Sequence, residues 1–145
     1  MQVSGAVSDP IRSAAELAQL AQLRAVDQKV RAHEQAHMAA AGRYAASGPS
    51  YQYVTGPDNQ QYAVGSEVSI DASPVRGDPQ ATVQKMLTVI AAANAPVDPS
   101  PQDQQVAAQA AATLAVAQSE AIRRSYADAA TAEEAASSIL SSVVG

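Results

Sequence analysis

Apolar positions in the first part of the chain recur with a helical period. Leu23, Val26, Val30, His33, His37, Ala41 and Tyr44 fall three or four residues apart, which places them on one stripe of a helix. Ser8 or Asp9 followed by Pro10 reads as the start of that helix, with proline in the first helical position. The pattern runs to about Ala46, where Ser47-Gly48-Pro49 stops it. Residues 1–9 read as a loose arm.

The period then changes. Tyr51-Gln52-Tyr53-Val54 and Gln61-Tyr62-Ala63-Val64 carry strand-forming types, and Thr55-Gly56-Pro57-Asp58-Asn59-Gln60 between them has turn chemistry. These segments predict a β-hairpin, which must lie on helices because two strands alone are marginal in water. Gly65 to Asp71 follows as a bend into a short extended piece or as a helical turn, and Ser73-Pro74 to Gly77 as a loop. Asp78-Pro79 opens a second helix with the stripe Val83, Met86, Leu87 and Ile90. Pro96, Pro99 and Pro101 mark a connector. Ser100 is positioned to cap a third helix, with Pro101 at its first position and Asp103 in its first turn, running to about Ala130. Residues 131–145 read as a tail, helical or frayed, in which Ile139, Leu140, Val143 and Val144 offer docking side chains. The expected fold is mainly α, of the α+β kind. It has three principal helices in a single domain over residues 10–130, with the hairpin inserted between the first and second.

Composition narrows the chemistry. Of 145 residues 47% are hydrophobic, but many are alanine; Phe and Trp are absent and all five aromatics are Tyr. The core is therefore thin, and a bound metal would add usefully to stability. A net charge of −5 gives no electrostatic case for nucleic acid. No cysteine means neither disulfides nor thiolate ligands. No segment approaches the roughly 20 apolar residues of a membrane span. Met1 to Asp9 lacks the basic-then-apolar layout of a secretory signal. The default expectation is a cytoplasmic protein, unless the chain is part of a longer or secreted one. The oligomeric state is not fixed by the sequence.

Both histidines lie in His33-Glu34-Gln35-Ala36-His37, an H-E-x-x-H pattern on the predicted stripe. On a helix, residues i and i+4 share a face, so His33 and His37 can grip one metal ion. Glu34, beside the first ligand, can take a proton from a water that the ion activates. Catalytic zinc commonly takes three protein ligands, and here no further His or Cys exists. The extended motif with a glycine and a third histidine is excluded, because Ala40 and Arg43 occupy those positions. The third ligand must be a carboxylate. Glu67, after the hairpin and near Gly65, is the first choice. Asp71 is the alternative, as ligand or as a residue orienting a histidine from behind. Asp103, Glu120, Asp128, Glu133 and Glu134 complete the candidates. Tyr62 is the leading helper for the developing oxyanion, with Tyr53, Tyr51, Arg43 and Arg76 behind it; for any single tyrosine, packing the hairpin on the helices is the favoured role.

Several blocks together resemble a known family: Val30-Arg31-Ala32-His33-Glu34-Gln35-Ala36-His37, Gly48-Pro49-Ser50-Tyr51, Thr55-Gly56-Pro57-Asp58, Tyr62 to Asp71, and Gly77-Asp78-Pro79. From about Val26 to about Ala121 the chain resembles the SprA-related family, bacterial proteins classed as metalloproteases largely by motif. The resemblance implies His33 and His37 as metal ligands and Glu34 as the catalytic acid and base. The expected function is a zinc-dependent metallopeptidase. It would use one Zn2+ ion and act on peptides or flexible protein segments, with Glu34 as general base and acid. The alternative is a non-catalytic metal-binding or structural helical interaction module carrying a vestigial site.

Overall fold

The computed structural model describes residues 11–144. The expected arm at 1–9 and the expected helix start at Pro10 lie outside them. Helix α1 spans Ala14–Ala41 and begins later than the proline suggests. Ser13 is its N-cap: the Ser13 side chain accepts from the Glu16 N–H, and the Glu16 carboxylate accepts from the Ser13 N–H. This reciprocal box satisfies two otherwise orphaned donors and fixes the start. The helix ends where Gly42 takes φ 54°, and a 3-10 turn over Gly42–Tyr44 follows.

Strands β1 (Ser50–Thr55) and β2 (Gln61–Glu67) form the antiparallel hairpin. In its turn Asn59 takes φ 61°, and the Tyr62 ring lies so close to Gly56 that a Cβ there would meet Cε2 at 2.8 Å. The register shifts between Gln52, opposite Gly65, and Tyr53, opposite Ala63. Val64 is therefore an extra residue, a β-bulge. The chain after the 3-10 turn also pairs with the stretch following β2: Ala45 bridges Ile70, with Ala46 N–H donating to Ser69 O and Asp71 N–H to Tyr44 O.

Helix α2 (Pro79–Ala93) starts as expected at Asp78-Pro79, with the Asp78 carboxylate accepting from the Ala81 N–H. Its buried side is Thr82, Lys85, Met86, Val89, Ala92 and Ala93. The stripe is thus turned from the expected one: Met86 is central, but Leu87 is half exposed and Val89 takes its place. Helix α3 (Pro101–Val144) has 44 residues, about 66 Å at 1.5 Å per residue. It continues through the segment read as a tail.

Met86, Val89 and Ala110 form the core between α2 and α3, with Ile70, Ala72, Ile90, Val106 and Leu114 packed round them. Ala110 and Ala117 are the buried residues of α3, and their small side chains let the helices approach closely. Helix α1 packs on β2 and α2 but has almost no direct packing with α3. Beyond Gln118, α3 is exposed apart from partly covered Ala121.

Candidate metal centre

The three residues of the motif that carry chemistry sit at the inward side of α1. Glu34 and His37 are each 2% exposed, while His33 is partly covered. His37 Nδ1 donates to the carbonyl of Ala92 on α2 at 2.8 Å. That bond places the proton on Nδ1 and turns the Nε2 lone pair toward His33. The two Nε2 atoms lie 3.2 Å apart. Asp103, from the first turn of α3, brings Oδ2 to 3.2 Å from each of them.

The Asp103 carboxylate is held by its own helix start. Its Oδ2 accepts from the Ser100 N–H at 2.7 Å, and Ser100 Oγ accepts from the Asp103 N–H at 3.1 Å. Burial opposes ionisation of Asp103, but the Ser100 hydrogen bonds outweigh it. The carboxyl is held below the usual carboxylate range. The positive end of the helix dipole acts in the same direction.

Three donor atoms from three residues thus converge with nearly equal spacing. A tetrahedral zinc ion with bonds of about 2.0–2.1 Å sets its ligand atoms about 3.3 Å apart. The observed 3.2 Å spacings, and a donor set of two imidazoles and one carboxylate, fit that ion. Among the described residues, His33, His37 and Asp103 form the one group of three such side chains.

Glu34 adds the second element. Its Oε1 accepts a hydrogen bond from the Ser66 hydroxyl on β2. Its Oε2 is buried and has no partner. An unpaired carboxylate oxygen inside a protein is costly, and such atoms mark places where a ligand or water completes the set. Glu34, His33 and Asp103 line a crevice of about 70 Å³, large enough to hold ordered water. Two roomier grooves, about 460 and 700 Å³, run along α2 and α3 beside Asp78, but no residue of the motif lines them.

A model of the SprA-related family matches residues 7–142. The chain belongs to the SprA-related family. No curated protein and no solved structure matches it.

In this SprA-related chain the carboxylate beside the histidines is that of Asp103, and Glu67 and Asp71 stand elsewhere. Glu67 is exposed at the crevice rim, where its Oε1 accepts from the side-chain amide of Gln102 at 2.9 Å. The bulge explains this. Strict alternation from buried Ala63 would turn Glu67 inward; the extra Val64 shifts the phase, so Ser66 points at α1 instead. Asp71 accepts from the buried Lys85 ammonium at 2.8 Å and from Ser73. That ion pair, with the Ser73 hydrogen bonds, holds its carboxyl well below the usual range. The group orienting a histidine is a backbone carbonyl, that of Ala92, not Asp71.

Tyr62 is buried away from the crevice and donates its hydroxyl to Asp58 in the hairpin turn. That bond, with burial, raises its pKa. Arg31 stacks over Tyr51 at 5.1 Å, and Tyr51 packs against Tyr53. Arg43 donates to the Tyr44 hydroxyl, and Arg76 lines the groove beside α3. None of these lines the crevice. In the sequence Asp103 stands among the remaining carboxylate candidates, set apart from them only as a first-turn residue of the third helix. Which helix end faces α1 has no sequence signal.

Proposed function

We propose that His33, His37 and Asp103 hold one zinc ion and that the protein is a zinc-dependent peptidase acting on peptides or flexible protein segments. The observation that carries this reading is the pairing of two features. Three donors converge at 3.2 Å, and beside them stands a buried, unpartnered Glu34 Oε2. A zinc ion bound there supplies Lewis acidity, making water more acidic and a carbonyl more electrophilic.

The chain's own residues divide the remaining work. Ala92 O keeps the His37 proton on Nδ1 and so keeps Nε2 available. Ser100 orients Asp103. In peptide hydrolysis one water adds across the C–N bond. Glu34 Oε2 takes a proton from the water whose oxygen bonds to the carbonyl carbon, and returns it to the leaving nitrogen. The products are a carboxylic acid and an amine, with Glu34 restored.

A second reading is favoured by one observation: the crevice beside the motif holds only about 70 Å³, against about 460 and 700 Å³ for the grooves away from it. On that reading the metal is structural and ties α1 to α3, which otherwise barely touch. Elemental analysis of the purified chain, with cleavage of a broad peptide library by wild type and Glu34→Gln, separates the two. Stoichiometric zinc and cleavage lost in the variant support the peptidase. Zinc without cleavage in the wild type supports the structural site, and no zinc under any loading condition refutes both.

A further inference from the structure

We propose that Ser66 is a positioning residue that assigns the two oxygens of Glu34 to different tasks; this rests on the peptidase reading above. The Ser66 hydroxyl occupies Oε1, and Oε2 is left buried and unpartnered on a residue that lines the crevice. A carboxylate free to rotate would offer either oxygen in turn. One anchored by a hydroxyl at Oε1 presents the other in a fixed direction, and catalytic groups gain from being held in place before the reaction.

The anchor is built from several elements. The bulge at Val64 turns Ser66 toward α1, as described above. One face of α1 then grips β2 at two places seven residues apart. Asp27 Oδ1 accepts the Ala63 N–H at 2.8 Å, while Arg31 holds the same carboxylate at 3.1 Å. Two turns later Glu34 receives Ser66. With Ala63 pinned, the position of the Ser66 hydroxyl over Glu34 is fixed by the strand. Ser66 touches neither histidine nor Asp103 through any hydrogen bond, so its role runs through Glu34 alone.

The test has two arms on the full chain. The first is a double-mutant cycle on the folding equilibrium of the metal-free protein with Ser66→Ala, Glu34→Ala and both. The expected coupling is about tenfold or more in the equilibrium constant, the scale of a hydrogen bond to a carboxylate. Coupling near unity overturns the proposal whatever the enzyme does. The second arm uses the zinc-loaded protein. Ser66→Ala should bind zinc as wild type does and lose about tenfold or more in kcat with little change in KM. Ser66→Thr, which keeps a hydroxyl, should recover most of that loss. Undiminished kcat in Ser66→Ala, or an equal loss in Ser66→Thr, overturns the proposal. A wild-type chain that binds zinc and cleaves nothing overturns the peptidase reading and this assignment with it, while the cycle still reports on the contact.

Discussion

Asp103→Asn is the substitution that most directly probes the proposed metal centre. It keeps the size of the side chain and one amide oxygen, but removes the charge that faces two imidazole nitrogens at 3.2 Å. Changing a group that only orients a metal ligand commonly costs 10- to 100-fold in affinity, so loss of a ligand should cost about 100-fold or more. The effect on stability follows by linkage. At free zinc 100 times the wild-type Kd, the metal contributes about 2.7 kcal/mol; at the same concentration a 100-fold weaker site contributes about 0.4 kcal/mol. For a chain of 145 residues, 1 kcal/mol moves the melting temperature by about 3 °C. Wild type should therefore gain about 8 °C from zinc and Asp103→Asn about 1 °C. Without metal Asp103→Asn should itself be somewhat less stable, because it loses a carboxylate that the Ser100 N–H and the helix dipole favour, so the quantity compared is each protein's own zinc shift. The assay is thermal unfolding by circular dichroism in zinc-buffered and chelated solution. An undiminished zinc shift in Asp103→Asn, with the shift abolished in Glu67→Gln, would refute the assignment and restore Glu67 as the ligand.

Other consequences are testable by related measurements. Met86→Ala removes the largest fully buried side chain and should destabilise by about 2–5 kcal/mol in chemical denaturation; a loss near zero would contradict the core described. Asp71 has a lowered folded-state pKa, so its stabilisation is full above its unfolded value near 4 and is lost as pH falls through the folded one. In Asp71→Asn the acid-side decline should flatten, and stability at pH 7 should fall because the Lys85 ammonium is left buried without its partner; an unchanged acid limb in a pH titration of unfolding would count against this pair. A chain ending after Asp128 should fold and bind zinc like the full chain, because the described residues it removes are all exposed; calorimetric zinc titration reads this, and a large loss of affinity would show a role for the end of α3.

Local chemistry is legible in the residues to different degrees. The hairpin turn announces itself through Gly56, Pro57 and Asn59, each suited to a backbone shape the turn uses. Asp78-Pro79 and Ser100-Pro101 mark helix starts for the same kind of reason. The inward stripe holds from Leu23 along α1 to Ala41 and on to Tyr44, because one helix face is the apolar one. What the residues do not announce depends on contacts between elements. Leu87 and Val89 are both apolar, and only packing against α3 decides which is buried. The bulge at Val64 is a one-residue slip without a glycine or proline at the extra position, yet it exchanges Ser66 for Glu67 at the motif helix. Asp103 is a common first-turn carboxylate until the orientation of α3 places it before His33 and His37.

The site draws its third donor from a residue 70 positions after His33. A metal held there closes a large ring in the chain, comparable in kind to a covalent cross-link. For a disulfide spanning such a loop, the chain-entropy estimate is about 4 kcal/mol of constraint on the unfolded state. This chain has no cysteine, so it has no covalent means of imposing that constraint. On the proposed zinc reading the ring would also order events during synthesis: until the residues after Ser100 have left the ribosome, the two histidines would lack the donor that completes it. Zinc capture would then be the step that commits the last helix to the first.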